Sequence, residues 1–236
     1  MIQLYYWPTP NGKKISIMLE ECKMPYDVVR IDIGRGEQFR GEFLDISPNN
    51  RIPAIVDDET GISVFESGAI LLYLADKAGK FMPSGQKEQY EVLQWLFWQV
   101  AGLGPMAGQL SHYVNYAPEP VPYAHLRYEQ EYDRLLGVMN TRLADRDYLA
   151  GDYSIADIAS FPWVAGYKRL GATLDAFPHL RRWFDAIKAR PAVRAGMDLG
   201  KDWREPSAAI DEQARKVLFG QTAESIAKAR SDGASG

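Results

Sequence analysis

A short turn near the N-terminus, Trp7–Lys14, most constrains what this chain can fold into. A run of strand formers, 2–6, precedes it, and from Ile15 apolar residues recur at helical spacing. Two prolines and a glycine make the turn, because proline fixes φ and glycine permits positive φ. The helix that follows directs free backbone N–H groups forward, beside the Thr9 hydroxyl and the Asn11 amide. The stretch therefore predicts strand, turn and helix, with either an ordinary cap or an anion site at the turn.

Composition narrows the classes of function that the chain can have. Its 236 residues carry a net charge of −4 and hold no basic block, which argues against a nucleic-acid partner. A single cysteine, Cys22, excludes an intramolecular disulfide and a thiolate-rich metal centre. No apolar run approaches the roughly 20 residues that a membrane span requires. We therefore expect a cytoplasmic protein with no metal, no nucleic-acid partner and no membrane partner.

Residues 1–80 alternate between strand and helix patterns. After the first strand and helix, the pattern predicts a strand over 26–33, a short helix near 39–44, a hairpin of 51–58 and 62–65, and a helix over 69–76. Two strands joined by one helix favour a right-handed βαβ unit with parallel strands. The order β-α-β-α-β-β-α therefore predicts a small mixed sheet with helices on both faces.

A break that contains proline and glycine, 79–85, separates this part from an almost wholly helical one, 87–204. In the second part, Ser154 and Asp157 have the spacing of a capping box, which predicts a structural role for the buried-looking carboxylate. The tail, 205–236, predicts one helix over 208–218 that packs back on the domain. The chain is therefore divided into an α/β domain, an all-α domain and a C-terminal tail.

Two motifs of the α/β part, Arg51–Ile55 and Phe65–Leu74, resemble the glutathione-binding motifs of glutathione transferases. The resemblance implies a thioredoxin-like N-terminal domain, an all-α C-terminal domain and a cis peptide bond before Pro53. It also implies that Ile52 bonds the cysteinyl backbone of glutathione, while Glu66 and Ser67 hold the γ-glutamyl group. The physical reasons agree, since Ser67 would cap its helix and Glu66 would meet the ligand's ammonium group.

The turn itself, Thr9-Pro10-Asn11-Gly12 followed by Lys14, resembles the bacterial Nu class of this family, as do the stretches 35–40, 47–50 and 103–106. That class implies hydrogen bonds from Thr9 and Asn11 to the glutathione sulfur, and a contact of Gln38 with the glycyl end. It implies a homodimer, in which Arg127 reaches the glutathione of the other subunit. Arg134, seven residues further along, remains an alternative for that role.

The chemistry that this resemblance implies requires a thiolate supplied by glutathione as co-substrate. A Nu-class site can hold two glutathione molecules or one glutathione disulfide, so the resemblance implies disulfide reduction by thiol–disulfide exchange, which needs no protein cysteine. Cys22 is either a core residue or a redox residue. Conjugation to electrophiles and thioether cleavage remain alternatives, as does a non-catalytic binding or assembly module. Three tyrosines either line a substrate mouth between the domains or pack: Tyr113, Tyr116 and Tyr167.

Overall fold

The computed structural model describes residues 1–203 and 212–227. Its sheet has four strands in the order β2-β1-β3-β4, namely β1 Ile2–Tyr6, β2 Tyr26–Arg30, β3 Ala54–Asp57 and β4 Ile62–Phe65. Strand β1 is parallel to β2 and antiparallel to β3, which forms a hairpin with β4. Strand β2 ends three residues earlier than predicted, because the Asp32 carboxylate accepts a bond from Gly34 N at 3.0 Å and turns the chain.

Helices cover both faces of this sheet, as the pattern predicts. They are α1 Pro10–Cys22, α2 Gly41–Ile46 and α3 Ser67–Ala78. Side chains of β1 alternate between the faces, so Leu4 joins the core under α1 and α3, while Tyr5 joins Phe43 of α2. The order of elements is the predicted β-α-β-α-β-β-α.

The rest of the described chain consists mainly of helices joined by loops. Its helices are α4 Gln86–Trp98, α5 Gly104–Asn115, α6 Pro122–Arg142, α7 Ile155–Ala165, α8 Pro178–Lys188, α9 Pro191–Asp198 and α10 Glu212–Phe219. Residues Gln99–Leu103 form a π-helical turn between α4 and α5, at the position where glycines interrupt the apolar pattern. The prediction of a thioredoxin-like domain followed by an all-α domain is confirmed.

The two domains share one core, because α1 packs directly against α7 and α9. A Cβ atom at Gly196 would lie 2.5 Å from the backbone nitrogen of Ile17, so only glycine permits this approach. Ser16 then donates from its hydroxyl to the Gly196 carbonyl at 2.7 Å. The helix that begins at the Thr9 turn is therefore held firmly from both domains.

The capping box at the start of α7 is present as predicted. Both oxygens of the fully buried Asp157 accept bonds, at 3.0 Å from Leu149 N, 3.0 Å from Ser154 N and 2.8 Å from the indole of Trp183. Burial raises the pKa of Asp157 to about 6, and these donors oppose the rise. The carboxylate joins α7, α8 and the preceding loop, which is a structural role.

Helix α10 accounts for the described part of the predicted tail helix, and 208–211 lie outside the described residues. Every helix within 1–203 and 212–227 is too short or too polar to cross a bilayer.

Candidate active site

Thr9 is the N-cap of α1, with its backbone extended and Pro10 as the first helical residue. Its hydroxyl oxygen accepts from Gly12 N at 3.2 Å, which leaves the hydroxyl hydrogen to donate elsewhere. A Cβ atom at Gly12 would lie 2.3 Å from the Trp7 carbonyl oxygen, so the tight turn requires glycine here. The cap predicted from the sequence is present, and it presents a hydroxyl donor at the positive end of a helix.

Asn11 lies one residue further on, and its side chain is fixed from the other domain. The Trp163 indole on α7 donates to Asn11 Oδ1 at 3.1 Å. With the carbonyl oxygen engaged, both hydrogens of Nδ2 are left for another acceptor. The structure therefore brings Thr9 and Asn11 together as two donors at one helix end. Sequence reasoning missed Trp163, since nothing local marks a residue 152 positions away as a partner of the turn.

The Ile52–Pro53 peptide bond is cis, as the resemblance implies. Nearby, Glu66 has a positive φ of 70° and precedes the first residue of α3. Such backbone strain on a residue other than glycine is typical of functional sites. The Glu66 carboxylate is exposed and accepts from Asn49 Nδ2 at 3.2 Å, so it remains open to a ligand.

The expectation that Ser67 caps α3 is wrong. Glu66 occupies the N-cap position without a side-chain cap bond, and Ser67 is the first helical residue. Its hydroxyl oxygen accepts instead from Lys14 Nζ at 3.1 Å, and Lys14 also donates to Gln99 Oε1 at 2.6 Å. The positive φ of Glu66 moves the start of the helix by one residue. Ser67 is still placed beside Glu66, at the free N–H groups of α3.

We call the buried set Lys14, Ser67 and Gln99 the lysine cluster. Burial lowers the pKa of the Lys14 ammonium to about 7, and the charge of Glu66 opposes the decrease. The sequence contains one signal for it, because Lys14 lies one turn before Met18 on the apolar face of α1. Gln99 carries no such signal, since the π-helical turn that places it is not visible in the pattern.

Three other residues with predicted ligand contacts lie outside the Thr9 turn and the lysine cluster: Gln38, Arg127 and Arg134. Gln38 is buried between β2 and α2; its Nε2 donates to Ile33 O at 3.2 Å, and its Oε1 has no partner within the described residues. Arg127 is exposed on α6, with Nη1 3.7 Å from Glu131 Oε2. Arg134 is bound more tightly to the same carboxylate, at 2.7 and 2.9 Å.

A cavity of about 290 Å³ opens between the domains beside the Asn11 turn. Pro10 and Trp163 line it together with Tyr116, the residue after α5. Tyr167, predicted here, lies elsewhere: it lines a second cavity of about 500 Å³ with Phe184. Tyr167 packs edge-on against Phe184, with ring centroids 5.9 Å apart.

Tyr113 stacks on Tyr128 with ring centroids 5.6 Å apart. Tyr113 therefore packs against another tyrosine, whereas Tyr116 lines the cavity between the domains.

Helix α10 lies across the outer side of this region. Toward the α/β domain, the side chain of Gln221, which follows α10, accepts from Asn50 Nδ2 at 3.2 Å, and Val217 of α10 lies against Gly36. Toward the helical domain, Arg215 of α10 donates to the Tyr116 carbonyl oxygen, and the ring centroids of Phe219 and His112 lie 4.7 Å apart. The tail helix thus bridges the loop that leads to Gln38 and the end of α5.

Cys22 lies at the opposite end of α1 from Thr9 and packs against the core. Burial raises the pKa of its thiol to about 11, which favours the packing interpretation over the redox one. Across the described ranges, no three histidine, cysteine, aspartate or glutamate side chains are grouped as metal ligands.

Comparison with known proteins identifies the family of both domains. Residues 1–76 match the model of the glutathione S-transferase N-terminal domain, and 110–191 match that of the C-terminal domain. The disulfide-bond oxidoreductases YfcG and YghU of Escherichia coli are 51% and 41% identical. The alignments cover 82% and 83% of this chain, and 93% and 73% of theirs.

Solved structures of glutathione transferases are similar to this chain in sequence and in fold. A Burkholderia graminis glutathione transferase with two glutathione molecules bound per subunit is 43% identical, with a TM-score of 0.79 over 84% of this chain and 87% of that one. A Pseudomonas putida glutathione transferase with one glutathione disulfide bound per subunit is 40% identical, with a TM-score of 0.79 over 84% and 91%. As its motifs predict, the chain belongs to the glutathione S-transferase family of enzymes.

Proposed function

We propose that this enzyme binds glutathione with its sulfur at the N-terminus of α1 and uses the thiolate to reduce disulfides. The observation that carries the proposal is the pair of donors, Thr9 and Asn11, at one helix end. Asn11 is held in a donating orientation by Trp163. The single cysteine lies at the far end of the helix with a raised pKa, so the nucleophile has to come from the ligand.

The donors are sufficient to activate a thiol. Lowering the pKa of glutathione from about 8.5 to about 6.5 requires about 2.7 kcal/mol. A hydrogen bond to a charged acceptor contributes about 1.5–3 kcal/mol, and a helix N-terminus about 0.3–1 kcal/mol. Thr9, Asn11 and the end of α1 together supply that amount without any side chain acting as a proton acceptor.

The remaining predicted contacts fix the rest of glutathione. Glu66 takes the ammonium of the γ-glutamyl group, and Ser67 its carboxylate. The backbone of Ile52, before cis Pro53, bonds the cysteinyl unit. Gln38 meets the glycyl end, where its carbonyl oxygen is buried without a partner among the described residues.

The reaction balances with two glutathione molecules. The first thiolate attacks one sulfur of a substrate disulfide, forms a mixed disulfide and releases a substrate thiolate, which takes a proton. The second thiolate attacks the glutathione sulfur of the mixed disulfide and releases the other substrate thiolate. Glutathione disulfide and two substrate thiols result. The glutathione pair and the glutathione disulfide seen in the two bacterial relatives correspond to the first reactant and last product.

The same thiolate would also serve conjugation to an electrophile or thioether cleavage, and a fold of this kind without turnover would serve as a binding module. Reduction is favoured by the names of the relatives YfcG and YghU, disulfide-bond oxidoreductases. An intact donor pair favours an enzyme over a module.

We also propose a homodimer. Several large apolar side chains are exposed on α4, α6 and β4: Tyr90, Phe97, Tyr123, Leu126, Ile62 and Phe65. Exposed apolar side chains of this size are the kind that a protein interface covers. Arg127 lies on the same helix α6, and its looser bond to Glu131 favours it over Arg134 for reaching a second subunit. Light scattering tests the dimer, and a weaker glutathione affinity of Arg127→Ala but not Arg134→Ala tests the assignment.

The deciding experiment measures glutathione-dependent reduction of a small organic disulfide beside conjugation to an aromatic chloride. We expect fast reduction and poor conjugation. Thr9→Ala/Asn11→Ala should raise the pKa of the bound thiol by about 2 units and slow reduction at neutral pH at least tenfold. Thr141→Ala, which removes an exposed hydroxyl on α6, is the control. An unchanged thiol pKa in the double variant would refute the assignment, and fast conjugation without reduction would select the alternative reaction.

A further inference from the structure

Lys14 is a lysine in the interior of the molecule, 1% exposed, in the first turns of α1. Its ammonium donates to two neutral acceptors, Ser67 Oγ at 3.1 Å and Gln99 Oε1 at 2.6 Å. An ammonium has three hydrogens, so one remains without an acceptor in the described parts of the chain. Burying a charge is expensive unless it is paired, and here no carboxylate lies within ion-pair distance in 1–203 and 212–227. The lysine cluster therefore lacks an anion.

The geometry around Ser67 indicates where that anion belongs. The Ser67 oxygen accepts from Lys14, so its own hydrogen has to point to another group. Ser67 is also the first residue of α3, where backbone N–H groups are unbonded because Glu66 makes no side-chain cap. A hydroxyl donor, a helix end and a buried ammonium thus lie around one position.

We propose that Lys14 is a positioning residue and the buried counter-ion for the glutamyl α-carboxylate of glutathione, and that ligand binding draws a proton onto it. This inference rests on the proposed function, because it assumes that the γ-glutamyl group lies at Glu66 and Ser67. Lys14 acts through the Ser67 hydroxyl, whose hydrogen it turns toward the carboxylate, and through its own charge.

The protonation of Lys14 follows from its surroundings. Burial lowers its pKa to about 7, and the negative charge of Glu66 opposes this decrease. A carboxylate bound at Ser67 adds a second negative charge, which raises the pKa of the ammonium again. Between the free and bound pKa values, binding takes up a proton, so the affinity for glutathione falls as the pH rises above about 7. At lower pH the lysine is charged in both states, and uptake ceases.

Gln99 connects Lys14 to the all-α domain. Its Oε1 holds Lys14, and its Nε2 is buried without a partner among the described residues. The π-helical turn that begins at Gln99 gives the side chain this position, and Gly104 leaves room for it, since a Cβ atom there would lie 2.7 Å from Gln99 Nε2. The glutamyl end of the site is therefore fixed from both domains.

The test uses S-methylglutathione, which has no titrating thiol. Calorimetric titrations near pH 8, in two buffers of different ionisation enthalpy, give the number of protons taken up on binding. We expect about 0.5 to 1 proton for the wild-type protein and close to none for Lys14→Met. The amino group of the ligand contributes equally to both, so the difference belongs to Lys14.

Affinity provides the second measurement. Lys14→Met should bind S-methylglutathione roughly 10- to 100-fold more weakly at pH 6.5, because the carboxylate loses its buried counter-charge and the Ser67 hydroxyl loses the partner that orients its hydrogen. Lys14→Met/Gln99→Leu, which also removes the unpaired amide, should show the same weakening and serves if the single variant folds poorly. Lys80→Met, an exposed lysine after α3, is the control.

The outcomes separate the two proposals. No binding of S-methylglutathione to the wild-type protein would overturn the proposed function itself. Normal binding with no difference in proton uptake between wild type and Lys14→Met, or an unchanged affinity of the variants, would overturn the role of Lys14 alone.

Discussion

The two sides of the candidate site are built differently. On the inner side, the lysine cluster lies in the core, and each of its members comes from a different helix or helical turn. On the outer side, α10 contributes half-exposed or exposed side chains, and its contacts to Gly36 and His112 lie at the surface. The inner side is rigid because it is packed, whereas few buried contacts hold the outer side.

This difference matches what each side has to do. The γ-glutamyl group is the same in every turnover, so a preorganised pocket of fixed charges suits it. The disulfide substrate of the proposed reaction would vary, so the cleft beyond Thr9 and Asn11 would have to admit different groups. Asn11 lies between the two sides, and the hydrogen bond that it accepts from the Trp163 indole fixes its side chain to the packed interior.

The largest effect should come from the charge at the inner side. Glu66→Gln keeps the shape of the side chain but removes the charge that we propose meets the ammonium group of glutathione. We expect glutathione affinity to fall roughly 10- to 100-fold by calorimetry, because a charge-assisted bond contributes about 1.5–3 kcal/mol. Glu119→Gln, in the exposed loop before α6, is the control. An affinity within twofold of wild type would show that the inner side is not where glutathione is recognised.

The lysine cluster should reduce the stability of the free enzyme. Lys14→Met/Gln99→Leu removes a buried ammonium and an unpaired amide, and we expect the free energy of unfolding at pH 6 to increase by about 1–2 kcal/mol. The folded pKa of Lys14, about 7, lies below its unfolded value, so wild-type stability rises with pH above 7. The gain of the variant should therefore shrink by pH 9 in denaturant titrations. A loss of stability at pH 6 would mean that the cluster supports the fold rather than the ligand.

The inner side was only partly accessible to sequence reasoning, and the reason is physical. The cap at Thr9, the cis bond before Pro53 and the capping box of Asp157 depend on local patterns or on motifs within a few residues. Gln99 reaches Lys14 across 85 residues through a π-helical turn that leaves no periodic signal. The cap expected at Ser67 failed because a motif gives residue types, but not the positive φ of Glu66.

The outer side was predicted least. A tail helix is visible in the apolar spacing of 208–218, but its docking surface depends on side chains from two domains. The two alternatives for Tyr167, lining or packing, stayed open for a related reason, since the sequence near a helix end does not show which cavity an aromatic side chain faces.

The link between the sides can be tested at the indole. Trp163→Phe keeps the ring but removes the donor that fixes Asn11 Oδ1, so the Asn11 amide becomes free to rotate. We expect about a fivefold slower disulfide reduction at saturating glutathione, consistent with the net 0.5–1.5 kcal/mol of one hydrogen bond, and an unchanged glutathione affinity. Trp98→Phe, on the last turn of α4, controls for the loss of an indole. If affinity fell and the rate did not, Trp163 would belong to the recognition of glutathione instead.

The smallest effect should be on the outer side. Phe219 is 43% exposed, and its ring contacts His112 and Tyr116. Phe219→Ala should lower the free energy of unfolding by about 1 kcal/mol or less, because a large part of the ring is already exposed to solvent. Loosening α10 should raise kcat/KM for a bulky disulfide about two- to threefold and leave that for a small disulfide unchanged, since only a bulky group meets the helix. Val114→Ala, an exposed apolar residue on α5, is the matched control. Equal losses for both substrates would show that α10 is part of the rigid inner frame, and the contrast between the two sides would no longer hold.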